Sequence, residues 1–300
     1  MIDKLEMFIA LAREEHFGRA AESLGITQPT LSAGIKQLEG QLGVMLVWRS
    51  SRFGGLTPEG QRVLHWARRI VGDTRTLREE MRAARHGLSG DLRLAIIPTA
   101  LTVAAGLTVR FSRAHPNVRF TIRSQTSIEI LAMIENLQVD AGISYLDNEP
   151  LGQVTAVPLY RETYRWVCRE DHPLADRAEI AWEDLAGLPL CLLTPDMQNR
   201  RIVNQNLYEA GIAADAAIQS NSTVVIMAHV EAGDWGTILP RQLAEFLAVG
   251  RPLRVIPMRA IRPPHSVGLI APYREPHTPI LEALVQMSRS ISDVGEAGFG

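Results

Sequence analysis

Reactive chemistry is scarce in this chain. Its 300 residues include two cysteines, Cys168 and Cys191, and neither belongs to a CxxC pair. No disulfide framework is therefore predicted. HExxH, GxSxG and phosphate-loop motifs do not occur, and neither Gly54-Gly55 nor Gly233 belongs to a GxGxxG. His65, His86, His115, His172, His229, His265 and His277 are scattered, mostly in turn or polar contexts, so none is expected to bind a metal. No catalytic residue, metal or cofactor is predicted. Without a convergent acid, base or nucleophile, an enzyme on an α/β scaffold is the weakest reading. No apolar run reaches the roughly 18 residues of a membrane helix. The start, MIDKLEMF, has no basic region followed by an apolar core. A secretory signal is not predicted, and a cytoplasmic location is expected.

What is present is enough for two or so domains with substantial cores, since 46% of residues are hydrophobic. The net charge of −2 argues against a protein that coats nucleic acid broadly. Its distribution is uneven: residues 1–90 carry a net +3 and the remainder −5. A basic head on an acidic body suits a protein that meets phosphates at one end only.

Residues Phe17 to Leu42 read FGRAAESLGITQPTLSAGIKQLEGQL. Two amphipathic runs are separated by a break at Leu24-Gly25-Ile26-Thr27, the pattern of a helix-turn-helix. Gly25 can take the positive φ that ends the first helix. Thr27 reads as the N-cap of the second, with Pro29 in its first turn. Leu31, Ile35, Leu38 and Leu42 form one apolar stripe. The other face carries Gln28, Pro29, Thr30, Ser32, Ala33, Lys36 and Gln37, short or polar side chains suited to base edges and phosphates in a major groove. Leu42 to Arg49 then leads into Arg52 to Gly60, which together read as a short strand, a turn at Gly54-Gly55 and a return: a β-wing whose Arg49 and Arg52 would meet the duplex backbone.

The run AAESLGITQPTLSAGIKQLEGQLGVMLVWRSSRFGGLTPEG resembles the winged helix-turn-helix of the LysR-type transcriptional regulators. Two features depart from the usual pattern: Val47-Trp48 precedes the wing arginine, and Gly34 lies inside the recognition helix, at a cost of about 1 kcal/mol relative to Ala. The resemblance extends over the whole chain. It implies an α/β protein overall: an N-terminal winged helix-turn-helix, a long linker helix, and a two-lobed periplasmic-binding-protein-like α/β effector domain.

The rest of the sequence has that order. Leu5, Phe8, Ile9, Leu11 and Ala12 predict a first helix behind the motif. Thr57-Pro58-Glu59 is a helix start. From there to about Arg85, Val63, Ile70, Leu77 and Ala84 recur every seven residues, with Ala67, Thr74 and Met81 between them, a seam that calls for a second copy of the chain. Residues 1–60 are expected to bind DNA, and 61–88 to form the dimerisation helix. After a hinge at His86–Gly90, 89–300 are expected to bind an effector, with lobe I at about 89–160 and 266–300 and lobe II at about 161–265. Strands at Asp91–Ile97, Val118–Gln125 and Ala141–Ser144 alternate with helices at Ala100–Ala114 and Ser127–Gln138, giving a mostly parallel sheet. Further strands are expected at Tyr164–Arg169, Leu190–Leu193, Gly236–Pro240 and His265–Ala271. Further helices are expected at Arg200–Ala210, Thr223–Ala232 and Pro279–Ser290.

Ligands of open parallel sheets sit beyond the carboxyl ends of the strands. The residues there are Thr99 and Ala100, then Gln125, Thr126 and Ser127, then Ser144, and in the second lobe Thr194, with Asn221-Ser222-Thr223 before a further helix. Hydroxyls at helix starts suit a carboxylate or another small anion, though they also serve as ordinary caps. No arginine lies in these turns, which leaves the ligand's charge open. The resemblance implies that this cleft is the effector site, and that the partners are double-stranded DNA, a small-molecule effector, a second copy and then a tetramer, and RNA polymerase, but no membrane. The rival reading is a cytoplasmic small-molecule receptor of the periplasmic-binding-protein type with no direct role at DNA.

Overall fold

The computed structural model describes residues 1–49, 53–147 and 150–294. These form two compact units. The first comprises Met1–Gly87 with the short segments Glu135–Gln138 and Glu275–Pro279. The second comprises Leu88–Ile134, Val139–Arg274 and the chain from Ile280.

The first unit begins with α1 (Ile2–Glu14), α2 (Phe17–Ser23) and α3 (Gln28–Leu42). Leu5, Phe8, Ile9 and Leu11 of α1 meet Ala20 and Ala21 of α2 and Leu31, Ile35 and Leu38 of α3 in one buried cluster. His16 caps α2, its Nδ1 accepting from the backbone N–H groups of Gly18 and Arg19. The Thr27 hydroxyl caps α3. The expected apolar stripe of α3 stops at Leu38. Leu42 is exposed, because the helix ends there with Gly43 at φ 70°. Gly34 is buried against Met7, whose sulfur lies where a Cβ would stand, so this glycine lets α1 and α3 approach closely. Glu39, also buried, accepts the Leu46 N–H at 2.9 Å and ties the end of α3 to the segment that follows.

That segment is β1 (Val47–Arg49), paired antiparallel with β2 (Phe53–Leu56). The wing exists, but Gly54 and Gly55 are not its turn. They lie within the returning strand, and residues 50–52 lie outside the described residues. Gly54 is a glycine because a Cβ there would press on the Trp48 carbonyl oxygen at 2.8 Å, and Gly55 takes φ 97°.

α4 (Pro58–His86) is a single helix of 29 residues, capped by Thr57 and ended at Gly87. It has two apolar faces. Leu64, Ala67 and Val71 are buried in the first unit's core, so Ala67 belongs to the inward face and not to the predicted seam. On the outside, Trp66, Ile70, Leu77 and Met81 are 57, 40, 58 and 55% exposed. Four large apolar side chains at helical spacing, left in water, mark a face that lacks its partner within one chain.

Among the described residues the second unit holds three sheets. β3 (Gly90–Ile96), α5 (Leu101–Ala114), β4 (Val118–Ser124), α6 (Ser127–Glu135), β5 (Ala141–Tyr145) and β6 (Val154–Glu162) begin it. Next come β7 (Tyr164–Arg169), β8 (Leu190–Leu193), α7 (Gln198–Glu209), β9 (Ala216–Ser220), α8 (Thr223–Ala232), β10 (Thr237–Pro240), α9 (Arg241–Ala248) and β11 (Leu253–Pro257). β12 (His265–Pro272) and α10 (Pro279–Val294) close it. The first sheet has order β4-β3-β5-β12-β6, with β3 parallel to β4 and β5, and β12 antiparallel to its neighbours. The second lobe contains antiparallel β10-β7-β11 and parallel β8-β9. β6 belongs wholly to the first sheet and β7 to the second, so one crossing falls at Thr163. β12 provides the return. α6 is shorter than its predicted span, α10 longer, and β6, β9, β11 and α9 are additional to the expected elements. Among the described residues no helix is long and apolar enough to cross a membrane.

Candidate functional site

On α3, every residue named for the groove is exposed: Gln28, Pro29, Thr30, Ser32, Ala33, Lys36 and Gln37. They share one side because the opposite side, Leu31, Ile35 and Leu38, is locked in the core. Arg49 ends β1, and Arg52 lies outside the described residues. Trp48, half exposed on β1, is a further large side chain on the wing that the motif reading passed over.

In the second unit a small pocket opens between the lobes, with free space on the order of one water molecule. Its polar lining is Thr99, Thr126, Ser127, Tyr145, Gln198 and Asn199, and its apolar lining Ile97, Pro98, Leu193 and Met197. Three of the sequence-derived residues, Thr99, Thr126 and Ser127, come together here. Ala100 is buried beneath the start of α5, Ser144 is buried in β5, and Gln125 stands outside the lining. Thr194 follows Leu193 but is not itself part of the wall. Ser222 serves as the cap of α8, its hydroxyl accepting the Val225 N–H.

Thr126 also behaves as a cap. Its hydroxyl accepts the Glu129 N–H, and the Glu129 carboxylate accepts the Thr126 N–H at 2.9 Å, a reciprocal capping pair. Thr99 does not cap α5, whose N-cap is Ala100 with no side-chain hydrogen bond. The hydroxyls of Thr99 and Ser127 and the Asn199 amide nitrogen are buried with no hydrogen-bond partner. α7 begins at Gln198 and likewise lacks a side-chain cap. The pocket thus presents unpaired donors and uncapped helix starts, and no charged side chain lines it among the described residues. Groups of that kind favour a ligand that supplies hydrogen-bond acceptors.

Behind the wall lies a carboxyl that the sequence reading missed. Glu162, 1% exposed at the end of β6, accepts hydrogen bonds from the hydroxyls of Tyr145 at 2.8 Å and Tyr164 at 2.7 Å, both on Oε1. Burial pushes its pKa up to about 7, against the opposing pull of those hydroxyls and of the neighbouring Asn199 amide. The same burial raises Tyr145, Tyr160 and Tyr164 well above the ordinary phenol range. The sequence carried a faint signal for this cluster: Tyr160, Glu162 and Tyr164 are spaced two apart, hence on one face of an extended chain.

Arg200, buried on α7, donates to the Leu193 carbonyl at 2.6 Å and to Asn204, fixing the wall where β8 ends. The two cysteines are fully buried on β7 and β8, and burial pushes both thiols up to about 11. Among the described residues no three His, Cys, Asp or Glu side chains are grouped to hold a metal ion.

Comparison with known proteins bears on both regions. Residues 2–61 match the family model described as the bacterial regulatory helix-turn-helix protein, lysR family, and residues 85–291 match the LysR substrate binding domain. A hydrogen peroxide-inducible genes activator of Pectobacterium carotovorum subsp. carotovorum is 31% identical over 240 residues, 80% of this chain and 79% of that protein. Full-length OxyR from Pseudomonas aeruginosa, solved as a cysteine-to-aspartate variant, is similar in structure, with TM-score 0.73 and 28% identity, covering 96% of this chain and 94% of that one. Full-length CbnR complexed with its target DNA shares the fold at TM-score 0.61 and 23% identity, covering 97% of this chain and 99% of that one.

Proposed function

The chain belongs to the LysR family of bacterial helix-turn-helix regulators, and from that premise we propose that it is a cytoplasmic, sequence-specific transcriptional regulator. It reads double-stranded DNA with α3, pairs with a second copy through α4, and responds to a small ligand held between the lobes of its second unit. The observation that carries this is the exposed face of α3, polar along its length and backed by a core that fixes its orientation. Lys36, with Arg49 and Arg52 of the wing, supplies phosphate contacts, while Gln28, Thr30, Ser32 and Gln37 face base edges. Residues 1–60 carry the contacts, and 89–300 carry the switch. A ligand on Thr99 and Ser127 changes the angle between the lobes, and through it the packing of dimers into tetramers and the bend of bound DNA. The receptor reading without a DNA role has no use for a helix-turn-helix, and the relatives named above are regulators rather than enzymes.

Gel-shift titrations at several salt concentrations test this. Lys36→Ala is expected to weaken binding alike on every fragment and to flatten the salt dependence by about one counterion. Thr30→Ala or Gln37→Ala is expected to relax preference for particular base pairs, at about 1–3 kcal/mol each. Identical profiles for wild type and all three variants would end the DNA reading.

The switch is not a thiol. Peroxide attacks the thiolate, and two cysteines buried on separate strands with raised pKa hold almost none at neutral pH. Although relatives carry peroxide-inducible names, this chain is expected to keep both thiols, and its DNA affinity, after brief treatment with submillimolar hydrogen peroxide. Rapid loss of thiol titre under native conditions would reverse that conclusion.

A further inference from the structure

The pocket and the buried carboxyl behind it are continuous. Tyr145 belongs to both: it lines the pocket and its hydroxyl donates to Glu162. So does Asn199, in the first turn of α7 on the pocket wall, whose amide nitrogen makes no close hydrogen bond but lies near enough to Glu162 to lower its pKa. Glu162 ends β6 at the crossing between lobes. Its Oε1 takes both tyrosine hydroxyls, whereas Oε2 is buried without a partner. No cation pairs with it among the described residues. The ionisable groups around it are Tyr145 on β5, Asp147 after β5, Tyr160 on β6, Tyr164 on β7, and His265, its register partner on β12, which is paired with Asp147 at 3.2 Å.

We propose that Glu162 makes the inter-lobe pocket a proton-coupled anion site, in which a small monocarboxylate seats on the Thr99 and Ser127 hydroxyls and the Asn199 amide only while Glu162 carries a proton. The proposal rests on the reading of this pocket as the effector site. The Asn199 amide nitrogen donates, the two hydroxyls can donate, and two adjoining helix starts lack side-chain caps, so an acceptor-rich ligand complements the site. An ionised Glu162 behind the wall opposes that ligand. Two like charges close together in a protein interior weaken binding by roughly one to two orders of magnitude. Protonation removes the conflict of charge. The balance is one proton taken from solvent for each anion bound above the pKa of the free site.

The sign follows from the direction of the Glu162 shift. Raised to about 7, the carboxyl is mostly protonated at about pH 6 and mostly ionised at about pH 8.5. Bound anion raises it further, so apparent affinity is flat below about pH 7 and falls by as much as about tenfold per pH unit above it.

Titration calorimetry on the full-length protein tests this with acetate and formate, both fully ionised over this range, and with acetamide as the neutral isostere. Acetate or formate is expected to bind at least about tenfold tighter at pH 6 than at pH 8.5. In two buffers of different ionisation enthalpy, binding at pH 8.5 is expected to take up close to one proton. Acetamide is expected to show neither effect. Glu162→Gln keeps the acceptor for both tyrosines and is expected to bind the anions at pH 8.5 as wild type does at pH 6. It also separates Glu162 from His265, which it leaves intact. Thr99→Val is expected to abolish binding. Binding that is lost in Thr99→Val but is independent of pH and of Glu162→Gln would sink the proton coupling and leave the pocket standing. Failure of all three probes at pH 6 would sink the pocket reading, and this proposal with it.

Discussion

Replacing Ile70 and Leu77 together by glutamate is expected to turn the protein into a monomer and to lower its affinity for target DNA by about two orders of magnitude or more. Both side chains stand on the outer face of α4, where they and Trp66 and Met81 meet solvent. Buried against a second copy, each large apolar side chain contributes about 1.5–3 kcal/mol, and each is counted twice in a symmetric contact. A glutamate there would have to be desolvated opposite its own copy, which adds repulsion to the lost burial. The effect reaches DNA because one recognition helix makes few base contacts. Two linked copies convert the second half-site contact into an intramolecular event, with a gain of roughly 10²–10⁴. The substituted positions are already exposed, so each chain should keep its fold, with an unchanged circular-dichroism spectrum. Sedimentation reads the oligomer and gel shift the affinity. A double variant that stays dimeric at micromolar concentration would show that α4 is not the contact.

Legibility followed the range over which a feature is specified. The helices of the first unit were readable because period and punctuation lie within a few residues of each other: Leu31, Ile35 and Leu38 at helical spacing, Thr27 and Thr57 as caps, Gly25 at positive φ. Errors arose where a residue type serves two purposes. Gly54-Gly55 has the composition of a turn, yet Gly54 is small because a neighbouring strand passes close by, a reason that exists only once the strands are paired. Ala67 fits the seven-residue seam and the inward face equally, and only packing against α1 decides. The pocket divides the same way. Thr99, Thr126 and Ser127 could be found from the rule that ligands lie beyond strand ends. Tyr145, Asn199 and Glu162 come from the end of one strand, the first turn of a helix in the other lobe and the crossing between sheets. No local pattern relates them.

The LTPEG segment is where local propensity and tertiary packing disagree most sharply, and Gly60→Ala is expected to destabilise the first unit by about 2–4 kcal/mol. Propensity alone predicts the reverse, since alanine in a helix is favoured over glycine by about 1 kcal/mol. Geometry overrides it. Thr57 caps α4 by accepting the Gly60 N–H at 2.9 Å, donates its hydroxyl to the Met45 carbonyl at 2.6 Å, and places its own N–H on the Leu46 carbonyl. These bonds draw the first turn of α4 onto the chain leading into β1, so closely that a Cβ at Gly60 would fall on the Leu46 carbonyl oxygen. Backbone on both sides leaves nothing flexible to yield. Relief requires breaking the cap or shifting Leu46, which is itself fully buried and tied to Glu39. Both routes disturb the junction that joins recognition helix to wing, so DNA binding should fail along with stability. Gly40 is the matched control: it also sits within a helix, but its Cβ would meet nothing within 4 Å. Gly40→Ala is expected to stabilise by about 1 kcal/mol. At roughly 4–8 °C per kcal/mol for a unit of this size, the two variants should move the melting temperature in opposite directions, by amounts readily separated. An upward shift in both variants would mean that helix propensity, not the approach of α4 to Leu46, governs this junction.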